Sequence, residues 1–352
     1  MRSSTAQAVL NFLRAPPRQK VVVMPDYFVD RVVTVPERRS LTELLKEKIE
    51  AGGGSIHHMS QVEVKGGNAV NLGYALAKLG VRTEIVTIAE GISKVLLQES
   101  FRRLRTVKLR IREGRPGYTV ALESREKGRV SNVMLSDLGD IAAFGPELLD
   151  DGAWKSISSS TAVAVVNWAA NQRGTQLARA VFERARKDSI RFLDPADFSS
   201  RSEEFAAFLG PASDSGLISH LSVNENEARQ LSAALSTALL PRTFSLKEVS
   251  RICRELSDKL SLTVDVHTPI GSASASGGEV YFLGSRPVEE VRVTGAGDVW
   301  DAADIFGYMV GMPAESRLLV ANTAAALYVS NRTPEPPSRR EVASFIEKDG
   351  QA

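Results

Sequence analysis

The order of apolar runs along the chain is the feature that most restricts its fold. Val21-Val22-Val23-Met24 is a continuous apolar run that ends at Pro25, as expected for a strand buried on both faces of a sheet. Further β-rich runs occur at 83–89, 162–167, 190–193, 217–223 and 262–266, with helical patterns between them at 68–79, 174–186, 226–235 and 246–259. This alternation predicts an α/β fold with a doubly wound, mostly parallel sheet, whose ligands bind beyond the carboxyl ends of the strands.

Two segments interrupt the alternation, at about 31–65 and 108–135, and we expect them to form a small antiparallel β lid. Residues 1–19 precede the first strand and are predicted to pack as an appendage on one α/β domain that occupies 20–352. Because antiparallel edge strands tend to pair with other strands, the lid could also join two copies of the chain in a homodimer.

The overall charge balance argues against large anionic partners. The chain of 352 residues has 44 Lys and Arg against 42 Asp and Glu, so its net charge of +2 gives no general attraction to nucleic acid or an anionic membrane. No stretch approaches the ~18 consecutive apolar residues of a transmembrane span, and residues 1–7 lack the apolar core of a signal peptide. The single cysteine, Cys253, lies in a helical pattern and is predicted to be structural. We therefore expect a cytoplasmic enzyme.

The run from Thr294 to Asp298 carries the strongest chemical signal, because its glycines immediately precede a long helical pattern. Glycines let the backbone approach a ligand closely, and N–H groups at a helix start form an anion site that suits a transferred phosphoryl group. The amides of Gly295, Ala296 and Gly297 are therefore the predicted anion hole, and Asp298 is the predicted base for an attacking hydroxyl. A glycine turn with Asp298 as the helix N-cap is the structural alternative.

A second glycine pair lies far upstream. Gly66-Gly67 is followed by Asn68 and by a helical pattern that stops at Gly80. Asn68 could hydrogen-bond a polyhydroxylated ligand or merely cap the helix. From this run alone, capping is the simpler interpretation.

Together the two runs resemble the signatures of the ribokinase, or phosphofructokinase B-type (PfkB), family of carbohydrate and nucleoside kinases. Gly66-Gly67-Asn68-Ala69-Val70-Asn71 matches the first signature and the run from Thr294 to Asp298 the second, in the family's order and with a similarly wide separation. The resemblance extends from about Lys20 to Phe345. It implies a ribokinase-like fold and transfer of a phosphoryl group from a Mg²⁺-nucleotide, usually ATP, to a hydroxyl of a sugar-like acceptor.

The resemblance also implies roles for residues outside the two runs. Asp30 corresponds to the acidic residue that binds substrate hydroxyls, beside Gly66, Gly67 and Asn68. Asn224 and Glu227 match an Asn-x-x-Glu element that organises Mg²⁺ and its waters, with helix capping as the alternative. The implied nucleotide contacts are Asn224, Thr294, Gly297 and Asn322, the last on a small-residue helix that resembles the wall of the adenine pocket, with an ordinary packed helix as the alternative.

The chain departs from the family pattern in two places. Arg292 and Val293 stand where an acidic residue and a threonine are common, which weakens the case for a monovalent-cation site. The run from His267 to Ser272 replaces the usual Thr-x-Gly-x-x-Gly of the nucleotide loop, so ADP is conceivable as the donor. These departures leave open a nucleotide-binding or regulatory homologue that has lost phosphoryl transfer.

The identity of the acceptor depends on where the cations near the lid point. If Lys65 faces the substrate pocket, an anionic acceptor such as a pentose phosphate would suit the site, whereas a neutral sugar needs no such charge. Solvated charges on exposed lid strands are the alternative. The sequence also predicts that Asp301, one helical turn beyond Asp298, raises the proton affinity of Asp298 if the two approach closely.

Overall fold

The computed structural model describes residues 3–14, 17–36, 40–126, 129–235 and 245–349. The strands are β1 Lys20–Met24, β2 Phe28–Thr34, β3 Ser60–Gly66, β4 Arg82–Ile88, β5 Val107–Arg112, β6 Gly117–Glu126, β7 Arg129–Asp137, β8 Ala162–Val166, β9 Ile190–Asp194, β10 His220–Asn224, β11 Thr263–Thr268, β12 Gly271–Ser276 and β13 Glu279–Gly284. The α-helices are α1 Ser3–Arg14, α2 Leu41–Glu50, α3 Asn68–Lys78, α4 Gly91–Phe101, α5 Asp151–Ile157, α6 Gly174–Arg184, α7 Ser202–Asp214, α8 Glu225–Ala234, α9 Leu246–Leu260, α10 Ala296–Met309, α11 Ala314–Val329 and α12 Arg339–Asp349. Short 3₁₀ helices lie at Gly139–Ala143, Pro146–Leu148, Trp168–Ala170 and Ser199–Arg201.

Within the described ranges, the larger sheet has the strand order β13-β12-β11-β10-β9-β8-β1-β4-β5. The strands from β11 to β5 are parallel, and β12 and β13 add an antiparallel hairpin at one edge. β1 is a central strand, because it pairs with β4 on one side and with β8 on the other. This position explains why no polar residue interrupts its apolar run. The predicted doubly wound, mostly parallel α/β sheet is confirmed.

Helices cover both faces of the large sheet. On one face, side chains of α5, α6, α7, α8 and α9 form a core with Val22 and Met24 of β1 and with Val163 and Val165 of β8. On the other face, α3, α10, α11 and α12 pack against the sheet together with α1. Val9 and Leu13 of α1 are buried in this second core, so the described part of the predicted appendage contributes to the packing of the domain. None of the described helices is long and apolar enough to cross a membrane.

The smaller sheet is the predicted lid, and in the described residues its order is β3-β2-β6-β7. Two details correct the expectation. Residues 107–112 pair in parallel with β4 in the large sheet, so the second lid segment starts at Gly117 rather than near 108. The lid is also mixed, because β2 pairs in parallel with β6, while β2–β3 and β6–β7 are antiparallel as expected.

Polar residues collect where the parallel strands end. Asp194, Asn224 and His267 lie at or near the carboxyl ends of β9, β10 and β11, three neighbouring strands. The amino end of α10 lies at the same edge, since Gly297 and Asp298 line a cavity with all three residues. This is the position in which open α/β sheets bind ligands.

Candidate active site

Asp298 is in the first turn of α10, but it does not cap the helix. Gly295 occupies the N-cap position in a left-handed conformation with φ +84°, and no side chain caps this end. The Asp298 side chain is instead free to accept a hydrogen bond from Asn71 Nδ2 at 3.0 Å. Burial, followed by the negative charge of Asp194, raises the pKa of Asp298 well above its usual range. A buried carboxylate with a high proton affinity is suited to act as a base.

One of the three amides of the predicted anion hole is not available to a ligand. The Ala296 N–H donates to the Val293 carbonyl at 3.2 Å and is therefore already engaged. In the described chain, the N–H groups of Gly295, Gly297 and Asp298 have no backbone acceptor. The first turn of α10 therefore offers the unpaired donors that an anion needs, with the Asp298 amide in place of that of Ala296.

A cavity of about 450 Å³ lies between the lid and the carboxyl edge of the sheet. Its polar wall includes Asp30, Asn68, Asn71, Asn167 and Asp298, and its apolar wall includes Phe28, Met134 and Leu138. No Lys, Arg or His is among the described residues that line it. We refer to this cavity as the acceptor pocket.

Asp30 projects from β2 into the acceptor pocket. Burial raises its pKa to about 6, while a hydrogen bond with the Thr119 side chain lowers it. Gly66 stands directly across the β2–β3 pair from Phe28, and a Cβ at Gly66 would collide with the Asp30 carboxylate. Gly67 has φ +90° and lines the pocket. The glycine pair therefore serves to let Asp30 and the start of α3 approach each other closely.

Lys65 does not reach the acceptor pocket, which corrects the expectation that it binds an anionic acceptor. In the β2–β3 register Lys65 faces Val29, so its side chain lies on the opposite face of the lid from Asp30. There Nζ sits over the Tyr74 ring, 3.8 Å from the ring centroid, and burial lowers the Lys65 pKa. Its role is to pack the lid against α3.

Asn68 begins α3 without capping it. The carboxylate of Asp26, a fully buried residue beyond β1, accepts hydrogen bonds from the backbone N–H groups of Asn68 and Ala69 and from Asn167 Nδ2, all at 2.8 Å. Asp26 thus satisfies the end of α3 from outside the helix, a role that the sequence did not reveal. The Asn68 side chain is left facing the acceptor pocket, and its proximity lowers the pKa of Asp194.

A smaller cavity of about 130 Å³ lies next to the acceptor pocket and shares Asn68 and Asp298 with it. Its carboxylates are Asp194, Glu227 and Asp298, and no Lys or Arg is among the described residues that line it. Burial raises the pKa of Asp194 to about 6, and burial with the nearby charge of Asp194 raises that of Glu227 to about 8. We call this the acidic cavity. Its carboxylates repel one another unless a cation or protons neutralise them.

Asn224 and Glu227 form the helix cap that was one of the two alternatives predicted from the sequence. Asn224 Oδ1 accepts from the N–H groups of Asn226 and Glu227 at 2.9 and 3.1 Å, and Glu227 Oε2 accepts from the Asn224 N–H at 2.8 Å. This capping box starts α8 and at the same time fixes the Glu227 carboxylate at the acidic cavity. In the described chain, no three acidic, His or Cys side chains are close enough to enclose a metal ion. The oxygen donors fit Mg²⁺ held largely through its own waters.

A third cavity, of about 410 Å³, opens on the other side of α10 and is the candidate nucleotide pocket. Asn224, Gly297 and Asn322 line it, beside the small side chains of Ala325 and Ala326. Thr294 does not line it but faces the acceptor pocket, so its predicted nucleotide contact is not supported by the geometry.

The Asn322 amide is occupied within the protein. Oδ1 accepts from Ser272 Oγ at 2.7 Å and from Trp300 Nε1 at 2.8 Å, and Nδ2 donates to the carbonyls of Leu283 and Gly284, both at 3.2 Å. Asn322 therefore holds the wall of the nucleotide pocket in place, joining α10, α11 and the β12–β13 hairpin.

Arg292 fixes the segment that leads to the anion hole. Its Nε donates to the Asn331 carbonyl at 2.9 Å and Nη2 to the Arg332 carbonyl at 2.5 Å, just beyond the end of α11. Tyr328 Oη donates to the Thr294 carbonyl at 3.0 Å from the same helix. A cationic side chain on carbonyls near a helix C-terminus is electrostatically favourable. From the sequence, Arg292 was recognised only as a departure from the family pattern. Its anchoring role could not be predicted, because the carbonyl groups that it contacts are brought near it only by the fold.

Comparison with known proteins identifies the family and the fold. The model of the pfkB family of carbohydrate kinases matches residues 42–339. No curated protein matched the sequence. Among solved structures, adenosine kinase from Sinorhizobium meliloti is similar with a TM-score of 0.70 and 18% identity, over 95% of this chain and 100% of that one.

Two further structures show the same fold. Ribokinase from Arabidopsis thaliana, complexed with ribose and ATP, has a TM-score of 0.69 and 21% identity, over 95% of this chain and 99% of that one. A phosphofructokinase-2 mutant from Escherichia coli has a TM-score of 0.67 and 16% identity, over 94% and 99% of the two chains. The chain thus belongs to the pfkB family of carbohydrate kinases and is a phosphotransferase with an alcohol group as acceptor.

Proposed function

We propose that this chain transfers the terminal phosphoryl group of a Mg²⁺-nucleotide to a hydroxyl of a neutral, sugar-like acceptor. The observation that carries the proposal is the position of Asp298, which lines both the acceptor pocket and the acidic cavity. A hydroxyl in the first cavity and a phosphorus atom beside the second can thus meet next to one carboxylate. This is the arrangement that a base for phosphoryl transfer requires.

In the proposed reaction, Asp298 takes the proton of the acceptor hydroxyl as the oxygen attacks phosphorus. The raised pKa of Asp298 favours this proton transfer. The unpaired N–H groups of Gly297 and Asp298 stabilise the negative charge of the transferring group. Asn71 orients the Asp298 carboxylate through its hydrogen bond at 3.0 Å.

The lining of the acceptor pocket supports a neutral acceptor over a phosphorylated one. Asp30, Asp197 and Asp298 are acidic, and the described lining offers no cationic side chain to balance a phosphate. Asp30, Asn68, Asn71 and Asn167 suit the hydroxyl groups of a sugar, whereas Phe28 and Met134 suit its less polar face or an attached apolar group. A nucleoside is therefore compatible, and a sugar phosphate is disfavoured.

ATP is the proposed donor, and ADP remains the alternative. Asp194 and Glu227 are the side chains that would hold Mg²⁺, mainly through water, at the acidic cavity. When bound, the ion would offset the negative charge of the phosphates and of these carboxylates. Asn224, Gly297 and the small side chains of α11 form the site into which the nucleotide would bind.

We also propose that two copies of the chain associate through the lid. The lid face opposite Asp30 carries four exposed side chains on the paired strands β6 and β7: Tyr118, Val120, Val133 and Leu135. Val120 and Leu135 lie directly opposite each other in this pair. An apolar surface of this kind is stabilised by a partner. Sedimentation of the wild type and of Leu135→Glu tests the association. We expect a dimeric wild type and a monomeric variant. A monomeric wild type, or a variant with the same mass as a dimeric wild type, would contradict the proposal.

An acceptor screen tests the proposed function. Purified protein is incubated with Mg-ATP or Mg-ADP and with pentoses, hexoses, nucleosides, inositol and sugar phosphates, and phosphorylated product is detected directly. We expect product with at least one neutral acceptor and much less with its phosphorylated counterpart. Nucleotide binding by calorimetry without any product would instead support a regulatory homologue that has lost transfer.

A further inference from the structure

His267 lies at the junction between the nucleotide pocket and the acidic cavity. Only Asn224, His267 and Gly297 among the described residues line both cavities. His267 is on β11, opposite Asn224 in the parallel register. A nucleotide whose terminal phosphate reaches Asp298 must extend its phosphate chain past these three residues.

The orientation of the His267 ring is fixed by its neighbours. The ring lies against Trp300, with centroids 5.1 Å apart and 31° between the planes. The ring also lies near Gly297, since a Cβ built on this glycine would be 3.1 Å from Cε1 and 3.7 Å from Nε2, with no other His267 atom within 4 Å. The Nε2 edge of the ring therefore points towards Gly297.

Neither ring nitrogen of His267 has a hydrogen-bond partner in the described part of the chain, although the ring is half-buried. Burial lowers the His267 pKa to about 4, so the imidazole is neutral and has one N–H donor and one acceptor nitrogen. Because the ring lines both cavities and its nitrogens have no partner among the described residues, a hydrogen bond to a ligand is available at this position.

We propose that His267 Nε2–H donates a hydrogen bond to the phosphate chain of the donor nucleotide, beyond its α-phosphate, where the chain passes Gly297. Trp300 holds the ring in place, and the donor at Nε2 extends the row of N–H groups at the start of α10. His267 is thus a residue that binds the phosphate chain and aligns it with Asp298. The inference rests on the proposed function, because it requires a nucleotide in the pocket.

Three variants can distinguish a hydrogen bond from Nε2–H from a contribution of the aromatic ring itself. His267→Gln keeps an N–H donor close to the position of Nε2, whereas His267→Asn places its amide nearer to that of Nδ1. His267→Phe keeps a flat ring against Trp300 and removes both nitrogens. Loss of a hydrogen bond to a charged group weakens binding by about tenfold or more.

Calorimetric titration with Mg-ATP, Mg-ADP and AMP provides the test, because only the first two carry phosphates beyond the α-phosphate. We expect His267→Phe and His267→Asn to bind Mg-ATP and Mg-ADP about tenfold more weakly than the wild type, with AMP affinity unchanged. His267→Gln should retain most of the affinity. Equal affinity of all variants for Mg-ATP, or a parallel loss of AMP and Mg-ATP affinity, would overturn the proposal.

The same titrations separate this inference from the proposed function. A wild type that neither binds nucleotide nor forms a phosphorylated product contradicts the proposed function itself. A wild type that forms product while the variants bind Mg-ATP normally contradicts only the role of His267. If His267→Phe does not fold, the difference between His267→Gln and His267→Asn decides the result, since both are polar and smaller than or similar in size to histidine.

Discussion

The side-chain amide of Asn71 donates a hydrogen bond to Asp298 Oδ2 at 3.0 Å, although the two residues are 227 positions apart in the sequence. This contact joins the first turn of α3 to the first turn of α10, the elements that carry the two glycine runs. It also lowers the Asp298 pKa, against the larger effect of burial, which raises it. Asn71 therefore tunes and orients the proposed base.

Replacing Asn71 with alanine should move the pH profile of the reaction. Without the hydrogen bond the Asp298 pKa rises further, and because the base acts in its ionised form, the acidic limb of the kcat profile shifts to higher pH. We expect kcat at neutral pH to fall by roughly tenfold, from lost orientation and lost ionisation together. An acidic limb at the wild-type pH would contradict the assignment of Asp298 as the titrating base.

Replacing Asp298 with asparagine should remove the base and leave the cavities almost unchanged in shape. We expect kcat to fall by roughly 10² to 10⁴, the usual contribution of a general base, while calorimetry shows nucleotide binding within a few-fold of the wild type. Asp188→Asn is the matched control, because Asp188 is exposed, pairs with Arg186 and lines none of the three cavities. An Asp298→Asn protein that keeps most of its turnover would exclude this mechanism.

Gly66→Ala should damage acceptor binding specifically. The added Cβ collides with the Asp30 carboxylate, so Asp30 must leave the position from which it faces the acceptor pocket. We expect the KM for the acceptor to rise by at least about tenfold, and stability to fall by about 1–3 kcal/mol, as for an overpacked site. Gly210→Ala is the control, since Gly210 lies in α7 with open space around its Cβ position. Equal KM values for the two variants would contradict the role of Gly66.

Most of the large sheet could be predicted, because buried parallel strands have unmistakably apolar sequences. The edge strand β5 could not: Val-Lys-Leu-Arg-Ile-Arg alternates, since an edge strand is half solvated, and this pattern is also typical of a lid strand. The β12–β13 hairpin was missed for a related reason. Its small residues, such as Ser272 and Ala273, give no strong strand signal.

The acidic cavity was only partly predicted. Asp298 and Glu227 were found from their motifs, but Asp194 was not, although it directly follows the apolar pair Phe192-Leu193 at a strand end. The rule that ligands bind at the carboxyl ends of parallel strands could have identified it. The face on which Lys65 lies could not be read from its position beside the glycines, because a shift of one residue in strand register reverses the face of a side chain.

Lys65→Ala should leave acceptor selectivity unchanged. The ammonium group lies over Tyr74 on the far face of the lid, so its removal costs packing and a cation–π contact of roughly 0.5–2 kcal/mol, but no contact in the acceptor pocket. We expect the ratio of kcat/KM for a neutral acceptor to that for its phosphorylated counterpart to stay within about twofold of the wild-type ratio. A selective loss with phosphorylated acceptors would restore the interpretation of Lys65 as an anion-binding residue.

The acidic cavity should make the stability of the protein depend on pH and Mg²⁺ together. Burial, with the charge of Asp194, raises the folded-state pKa of Glu227 to about 8, and burial raises that of Asp194 to about 6, against unfolded values of about 4. Between about pH 4 and 8 the folded state therefore binds more protons than the unfolded state, so its stability falls as the pH rises through this window. Without Mg²⁺, we expect a lower Tm at pH 8.5 than at pH 5.5.

Mg²⁺ should reverse this loss of stability at high pH, because the bound ion offsets the negative charge of the carboxylates that have lost their protons. The expected rise in Tm on adding Mg²⁺ is therefore larger at pH 8.5 than at pH 5.5. Glu227→Gln should reduce both the pH-dependent loss and the Mg²⁺ effect, since its amide cannot ionise. Glu203→Gln, on the exposed side of α7, should behave as the wild type. Identical Tm profiles for Glu227→Gln and Glu203→Gln would place the pH-dependent group and the Mg²⁺ site elsewhere in the protein.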